Sequence, residues 1–318
     1  MKKAMLFLIL GLTFLQVKAQ WKDVSESFGL KTESIKLFEW QGNYNDSAFR
    51  AYYVKINTKD KQVTINTDTT LYRRLTPMQF YNRLQSPTVV VNASFFEFKN
   101  NTNLNVIVKD GKVVAYNLNS MLNKGKDTFT YTHVLASAIG MKKNGFLKNN
   151  NELDVAYTFT DSSIKNVYYQ STPLAPFKDS NAKLTLNHSR LQNLSPWKVS
   201  WAVGGGPVLI RDNQISISNE QERKFTGKAI LDRHPRTAMG YTKDGDLIIL
   251  AIQGRMKGIA VGATLGETAS LLLNLGCIEG LNLDGGGSSC LLVNGKKTIK
   301  PSDPTGERPV PAILYVNQ

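Results

Sequence analysis

Only two cysteines and three histidines occur in 318 residues, which leaves little material for chemistry built on thiolates or clustered imidazoles. His133, His188 and His234 are widely separated and show no metal-ligand spacing, so no metal is expected. For Cys277 and Cys290, a single disulfide and a pair of buried free thiols both remain open, because spacing alone does not bring the two together. A phosphate-binding P-loop and a Gly-x-Ser-x-Gly nucleophile elbow are absent, and with them the usual marks of a nucleotide hydrolase or a serine esterase. There is no internal repeat, no block of five or six like charges and no interleaved aromatic and basic motif, so nucleic acid is not an expected partner. Nothing in the pattern calls for a bound cofactor.

What is present begins with an export signal. Met1-Lys2-Lys3 is a basic start, residues 6–15 are apolar, and Val17-Lys18-Ala19 is a small-x-small cleavage pattern before Gln20. A bilayer span takes about 20 apolar residues, more than this run or any later one offers. A cleaved signal peptide over 1–19, a periplasmic or secreted domain over 20–318 and no membrane span are therefore expected. The formal charge is +14; Lys2, Lys3 and Lys18 lie in the leader, leaving +11. That balance favours anionic partners such as phosphorylated carbohydrate or wall polymer, although scattered lysines are also what an ordinary solvated surface carries. With 42% hydrophobic residues, the chain can bury a sizeable core in one domain or two closely packed ones.

Short β-rich runs dominate, separated by turn signals such as Lys109-Asp110-Gly111, Lys243-Asp244-Gly245 and Asn294-Gly295. Two helices are well marked. Thr76-Pro77-Met78-Gln79 supplies an N-cap, a proline at the first helical position and a Gln three residues after the cap, opening a helix to about Leu84. Strands and this helix over 20–85 are expected to pack on the rest. Thr264-Leu265-Gly266-Glu267 repeats the same grammar, and Leu265, Ala269, Leu272 and Leu273 follow at helical spacing until Gly276. The second helix joins apolar runs at 247–252 and 278–283, and a crossover of that kind makes its strands parallel. The expected fold class is α+β: a mixed β-sheet core with packed helices and a strand-helix-strand crossover near the C-terminus.

Parallel strands open their C-terminal ends at one sheet edge, where ligands of open sheets bind. Gln253-Gly254-Arg255 follows the first run and Asp284-Gly285-Gly286-Gly287-Ser288-Ser289 the second. A hairpin turn at 243–246 returns Pro235-Arg236-Thr237 to the same edge. Asn92-Ala93-Ser94-Phe95-Phe96, which ends the apolar run at 88–91, is a fourth candidate. Three glycines after Asp284 exceed what a turn requires; they let backbone approach a ligand and aim N–H groups at an anion. The plainer alternative is that Asp284 only forms the turn. Arg236 and Arg255 suit phosphate because the guanidinium fork donates two aligned hydrogen bonds. Gly205 and Gly206 either cradle substrate or let strands pack closely, and Glu267 fits a capping box as well as a site.

Taken in order, these motifs, together with 106–113 and Gly205-Gly206-Pro207-Val208-Leu209, resemble the phosphodiester glycosidases over about residues 88–316. The resemblance implies a mixed α/β domain that hydrolyses the glycosidic bond of a sugar-1-phosphodiester. Arg236 and Arg255 then neutralise the departing phosphate. A carboxylate, Asp284 first and Glu267 second, attacks the anomeric carbon or activates water there. Asn92, Thr237, Gln253, Ser288 and the turns at Gly205, Gly206, Gly285, Gly286 and Gly287 hold sugar hydroxyls and phosphate oxygens. One departure stands out: the family usually reads Asp-Gly-Arg where this chain has Gln253-Gly254-Arg255. If that missing carboxylate is catalytic, the chain is a binding module for phosphorylated glycan or wall polymer. A metal-dependent phosphodiesterase ranks third, for want of a His/Asp cluster.

Overall fold

A computed structural model describes residues 20–143 and 152–318; the leader expected over 1–19 lies outside them. Strand accounts for 42% and helix for 13%, with three α-helices. The strands form four sheets of eight, seven, five and three strands, and the pairings within them are antiparallel throughout the described residues. The protein is mostly β, which corrects the expected α+β class with its mixed sheet and packed helices. The reason lies in what covers the apolar strands. Runs buried on both faces imply a layer on each side, and here most of that cover comes from other sheets.

The eight-stranded sheet runs Trp21–Asp23, Ile35–Trp40, Ala51–Asn57, Asp246–Ile252, Arg236–Thr242, Cys277–Asn282, Val208–Arg211, Gln214–Ile215 from edge to edge. Side chains of a strand alternate between faces, and Asp246–Ile252 uses both. Leu247, Ile249 and Ala251 enter the main core with Val54 and Leu281, with Val91 and Leu314 of the five-stranded sheet, and with Ile139 and Val155 of the seven-stranded one. Ile248, Leu250 and Ile252 enter a second core with Leu265, Ala269 and Leu272 of the helix Leu265–Asn274. Burying each large aliphatic side chain is worth roughly 1.5–3 kcal/mol, so a register slip in this strand forfeits two cores at once.

Both helix starts form as the local sequence dictates. The Thr76 hydroxyl accepts the Gln79 N–H (3.1 Å) and Gln79 Oε1 accepts the Thr76 N–H (2.9 Å), opening Pro77–Arg83. Thr264 and Glu267 make the same reciprocal pair at 3.0 and 2.9 Å. Asp246–Ile252 and Cys277–Asn282 do run parallel, but each is bonded antiparallel to Arg236–Thr242 between them. Arg236 lies opposite Ile252, and Ala238 opposite Asn282. Two strand ends and one strand start thus meet at one edge. Cys277 and Cys290 are buried and free.

Candidate active site

Asp284 emerges just past the end of Cys277–Asn282. Its N–H donates to the Ala93 carbonyl (3.1 Å) and its carbonyl accepts from Asn92 Nδ2 (2.6 Å). Asn92, with no exposed surface, also accepts the Thr237 hydroxyl (2.8 Å) and the Cys290 N–H (3.0 Å) on its Oδ1. One amide therefore ties the end of Val89–Asn92, the start of Arg236–Thr242 and both ends of the glycine loop. Asn92 and Thr237 are both buried and engaged in this brace, which positions the loop. Gly206 joins from the other side, donating its N–H to Asn282 O (2.7 Å) and accepting from Asn282 Nδ2 (3.1 Å).

The three glycines leave room for three different neighbours. A Cβ on Gly285 would sit 2.8 Å from the Pro235 carbonyl. On Gly286, whose φ is +60°, it would press on the Arg255 guanidinium at 3.2 Å, and on Gly287 it would collide with that of Arg308. Two cations thus lie directly on the loop that carries Asp284. Arg236, 2% exposed, donates Nε to Ala263 O (3.0 Å) and Nη2 to Asp232 O (3.2 Å), with its guanidinium 5.5 Å from the Phe225 ring centroid. Arg255 Nη2 is 3.4 Å from His234 Nδ1. No carboxylate among the described residues forms an ion pair with Arg236 or Arg255, whereas Arg308 Nε is held by Asp303 at 2.8 Å.

The electrostatics follow from this crowding. Burial pushes the Asp284 carboxyl up to about 6, against the opposing pull of the Ser288 hydroxyl, Arg308 and the Gly285 N–H. The Ser288 hydroxyl, although close enough to exert that pull, makes no hydrogen bond of normal geometry. Burial, and then Arg255, lower Arg236 to about 10. His234 is likewise lowered by burial and by the two arginines.

Lys224 was not among the residues marked by the sequence. Its Nζ lies 5.2 Å from the Phe95 ring centroid, and its side-chain carbon packs where a Cβ on Gly206 would fall. It makes no hydrogen bond or ion pair among the described residues, because both oxygens of nearby Glu222 are taken: Oε2 by Ser137 N–H and Oγ (3.0 and 2.8 Å), Oε1 by Val208 N–H (2.8 Å) and the Ser218 hydroxyl (2.6 Å). Burial pulls the ammonium down to about 8, with Glu222 opposing. Phe95 and Phe225, 6.0 Å apart between centroids, wall the space between Lys224 and Arg236. Arg308 was also missed; Gly306-Glu307-Arg308-Pro309 reads as an ordinary turn.

Glu267 and Gln253 are differently placed. The Glu267 carboxylate accepts from Arg233 Nε (3.1 and 3.0 Å) and Nη2 (2.5 Å), from the Thr264 N–H and from Asn45 Nδ2 (3.3 Å). Burial raises its pKa, but these bonds outweigh it and hold the group below the usual range. Gln253, 4% exposed, accepts the Lys300 N–H (2.8 Å) and donates to Met256 Sδ (3.3 Å). Among the described residues, no three His, Cys, Asp or Glu side chains gather as a metal site would require.

Known proteins resemble this chain both in sequence and in fold. N-acetylglucosamine-1-phosphodiester alpha-N-acetylglucosaminidases of Bos taurus and Homo sapiens are each 32% identical over 106 residues, which is 33% of this chain and 20% of theirs. The chain thus matches only a fifth of the length of these curated relatives. An uncharacterized SPbeta prophage-derived protein, YomE, of Bacillus subtilis is 44% identical over 71 residues, 22% of this chain and 11% of that one. The catalytic domain of the zebrafish N-acetylglucosamine-1-phosphodiester alpha-N-acetylglucosaminidase shares the fold at a TM-score of 0.61 and 17% identity, covering 91% of this chain and 85% of that one. A hypothetical protein from Synechocystis does so at 0.58 and 19%, covering 90% and 62%. The phosphodiester glycosidase family model matches residues 136–317, a stretch that takes in Gly205, Arg236, Arg255 and Asp284, and the chain belongs to that family.

Proposed function

We propose that this chain hydrolyses the glycosidic bond of a sugar-1-phosphodiester, with Asp284 acting at the anomeric carbon and Arg236, Arg255, Arg308 and Lys224 receiving the phosphate. The supporting observation is the pairing of one desolvated carboxyl with cations of which three have no carboxylate ion pair among the described residues. An unpaired buried charge such as Arg236 is costly, and a bound phosphodiester would satisfy it together with the more accessible Lys224 and Arg255.

The bond being broken explains why one free carboxylate suffices. The leaving group departs as a stable phosphate anion, so it needs charge neutralisation more than protonation. Asp284, at about 6, is mostly ionised at neutral pH yet still basic enough to take a proton from water, the balance a general base requires. The water oxygen bonds to the anomeric carbon, its proton passes to Asp284, and the electron pair of the breaking carbon–oxygen bond stays with the phosphate. Glu267 stays on the helix cap and Arg233. Gln253 lends no support to a binding-only role, because its amide serves Lys300 and Met256.

The relatives' activity makes a simple alkyl phosphodiester of N-acetylglucosamine-1-phosphate the first substrate to try. Hydrolysis in oxygen-18 water is expected to label the released sugar and leave the phosphate unlabelled. Label in the phosphate means attack at phosphorus and removes the proposal. Export follows the same footing: the secreted protein is expected to begin at Gln20, which mass measurement of its N-terminus checks.

A further inference from the structure

Beyond the phosphate-receiving cluster, a column of alternating cations and rings leads outward from Asp284. Arg308 lies against Gly287 on the Asp284 loop, and its guanidinium carbon is 5.4 Å from the Phe98 ring centroid. That of Arg74 is 5.3 Å from the same centroid and 5.3 Å from that of Phe96, and the two rings are 4.7 Å apart. Phe96 is buried, but Phe98 is 56% exposed, and Leu71 and Tyr72 beside Arg74 are 72% and 73% exposed. Asn101 Nδ2 fastens this loop by donating to the Tyr72 carbonyl (3.3 Å). Arg308 already has Asp303, whereas Arg74 has no carboxylate in an ion pair among the described residues.

Contiguous exposed apolar surface rimmed by polar groups marks interaction sites, ligand-binding grooves among them. Each component has a chemical complement. The exposed part of the Phe98 ring offers apolar surface to a sugar, and a guanidinium without a carboxylate is suited to bidentate contact with phosphate. The order of the parts matters: reacting carboxyl, arginine, ring, arginine. It reads as phosphate, sugar, phosphate.

We propose that Arg74, Phe98 and Tyr72 form a second subsite, and that the substrate is a chain of phosphodiester-linked sugars whose next phosphate sits on Arg74. This rests on Asp284 being the reacting centre, since the column is measured outward from it. A monomeric diester fills only the inner cations, while a chain of two or more repeats spans both.

The test compares a one-phosphate alkyl diester of N-acetylglucosamine-1-phosphate with a synthetic two-repeat oligomer of the same sugar phosphate. Wild type is expected to favour the oligomer by about tenfold or more in kcat/KM, the effect of one charge-assisted contact. Arg74→Ala and Phe98→Ala are each expected to cut that preference toward one, with thermal midpoints confirming that both variants fold. No preference in wild type, or an undiminished preference in both variants, overturns the proposal. If wild type cleaves neither compound, the reading of Asp284 fails by itself, and calorimetric binding of the oligomer decides the subsite. Binding weakened about tenfold by Arg74→Ala sustains it, and equal binding ends it.

Discussion

Glu267 and Asp284 are two carboxylates beside arginines on the same domain, and the protein treats them in opposite ways. Glu267 is saturated by Arg233, the Thr264 N–H and Asn45, and its pKa is held down. Asp284 has its backbone clamped at both ends while its carboxyl is desolvated and raised to about 6. The arginines differ in the same sense: Arg233 is committed to Glu267, whereas Arg236 and Arg255 use backbone carbonyls or a histidine. Residue type is therefore a poor guide to role. What separates the two carboxylates is how many donors already hold each.

The largest expected break in this contrast is Asp284→Asn. Loss of a general base costs about 10²–10⁴ in rate, so turnover of a sugar-1-phosphodiester should fall at least that far, read by product release. Stability should move the other way. The folded carboxyl has a raised pKa, so its contribution is present below the ordinary carboxylate range and lost as pH rises through about 6. The variant lacks that loss, and its thermal midpoint should match or exceed wild type at neutral pH. A midpoint that drops sharply would make Asp284 a structural residue like Glu267.

Lys224→Met comes next. Removing a charged hydrogen-bond donor to phosphate is expected to lower kcat/KM about 10- to 100-fold. Wild-type activity should decline as pH rises through about 8, where Lys224 loses its proton, and that alkaline limb should vanish in the variant. An unchanged pH profile would place the phosphate elsewhere.

The smallest effect on activity is expected from Glu267→Ala, within about threefold, with a stability loss of about 1–2 kcal/mol from cap and ion pair together. Because the folded pKa of Glu267 is depressed, its contribution is present above the ordinary glutamate range and lost as pH falls through the lowered value. The gap between wild type and variant in thermal midpoint should therefore narrow in acid. A rate loss rivalling that of Asp284→Asn would return Glu267 to the chemistry.

Much of this edge was legible in the amino-acid sequence. The hairpin at 243–246 implied that the start of the strand 238–241 pairs near Ile252, which brought Pro235-Arg236-Thr237 to this edge, and the helix between 252 and 278 implied that its flanking strands run parallel; the structure pairs Arg236 itself with Ile252 and Ala238 with Leu250. Two things were not legible. The strand Arg236–Thr242 slots between the parallel pair, and sheets rather than helices cover the apolar faces; both depend on residues distant in the chain. Asn92 looked like a ligand-holding group because an Asn at a strand end is equally suited to a hydroxyl outside or to backbone inside. Its three bonds to Asp284, Thr237 and Cys290 show it bracing the loop. Lys224 gave no signal at all, since a lysine in a polar loop has no periodicity.

The amino-acid sequence by itself determined the local and the compositional features: the capped helices at Thr76 and Thr264, the turns, the alternation that gives Asp246–Ile252 two apolar faces, and the glycines that leave room beside Asp284. Those are set by backbone sterics and by neighbours a few residues away. Tertiary structure decided which charges were left without partners. Desolvation and hydrogen-bond saturation are properties of a folded environment, and they raise Asp284, spare Lys224 and saturate Glu267 only once distant segments close around them.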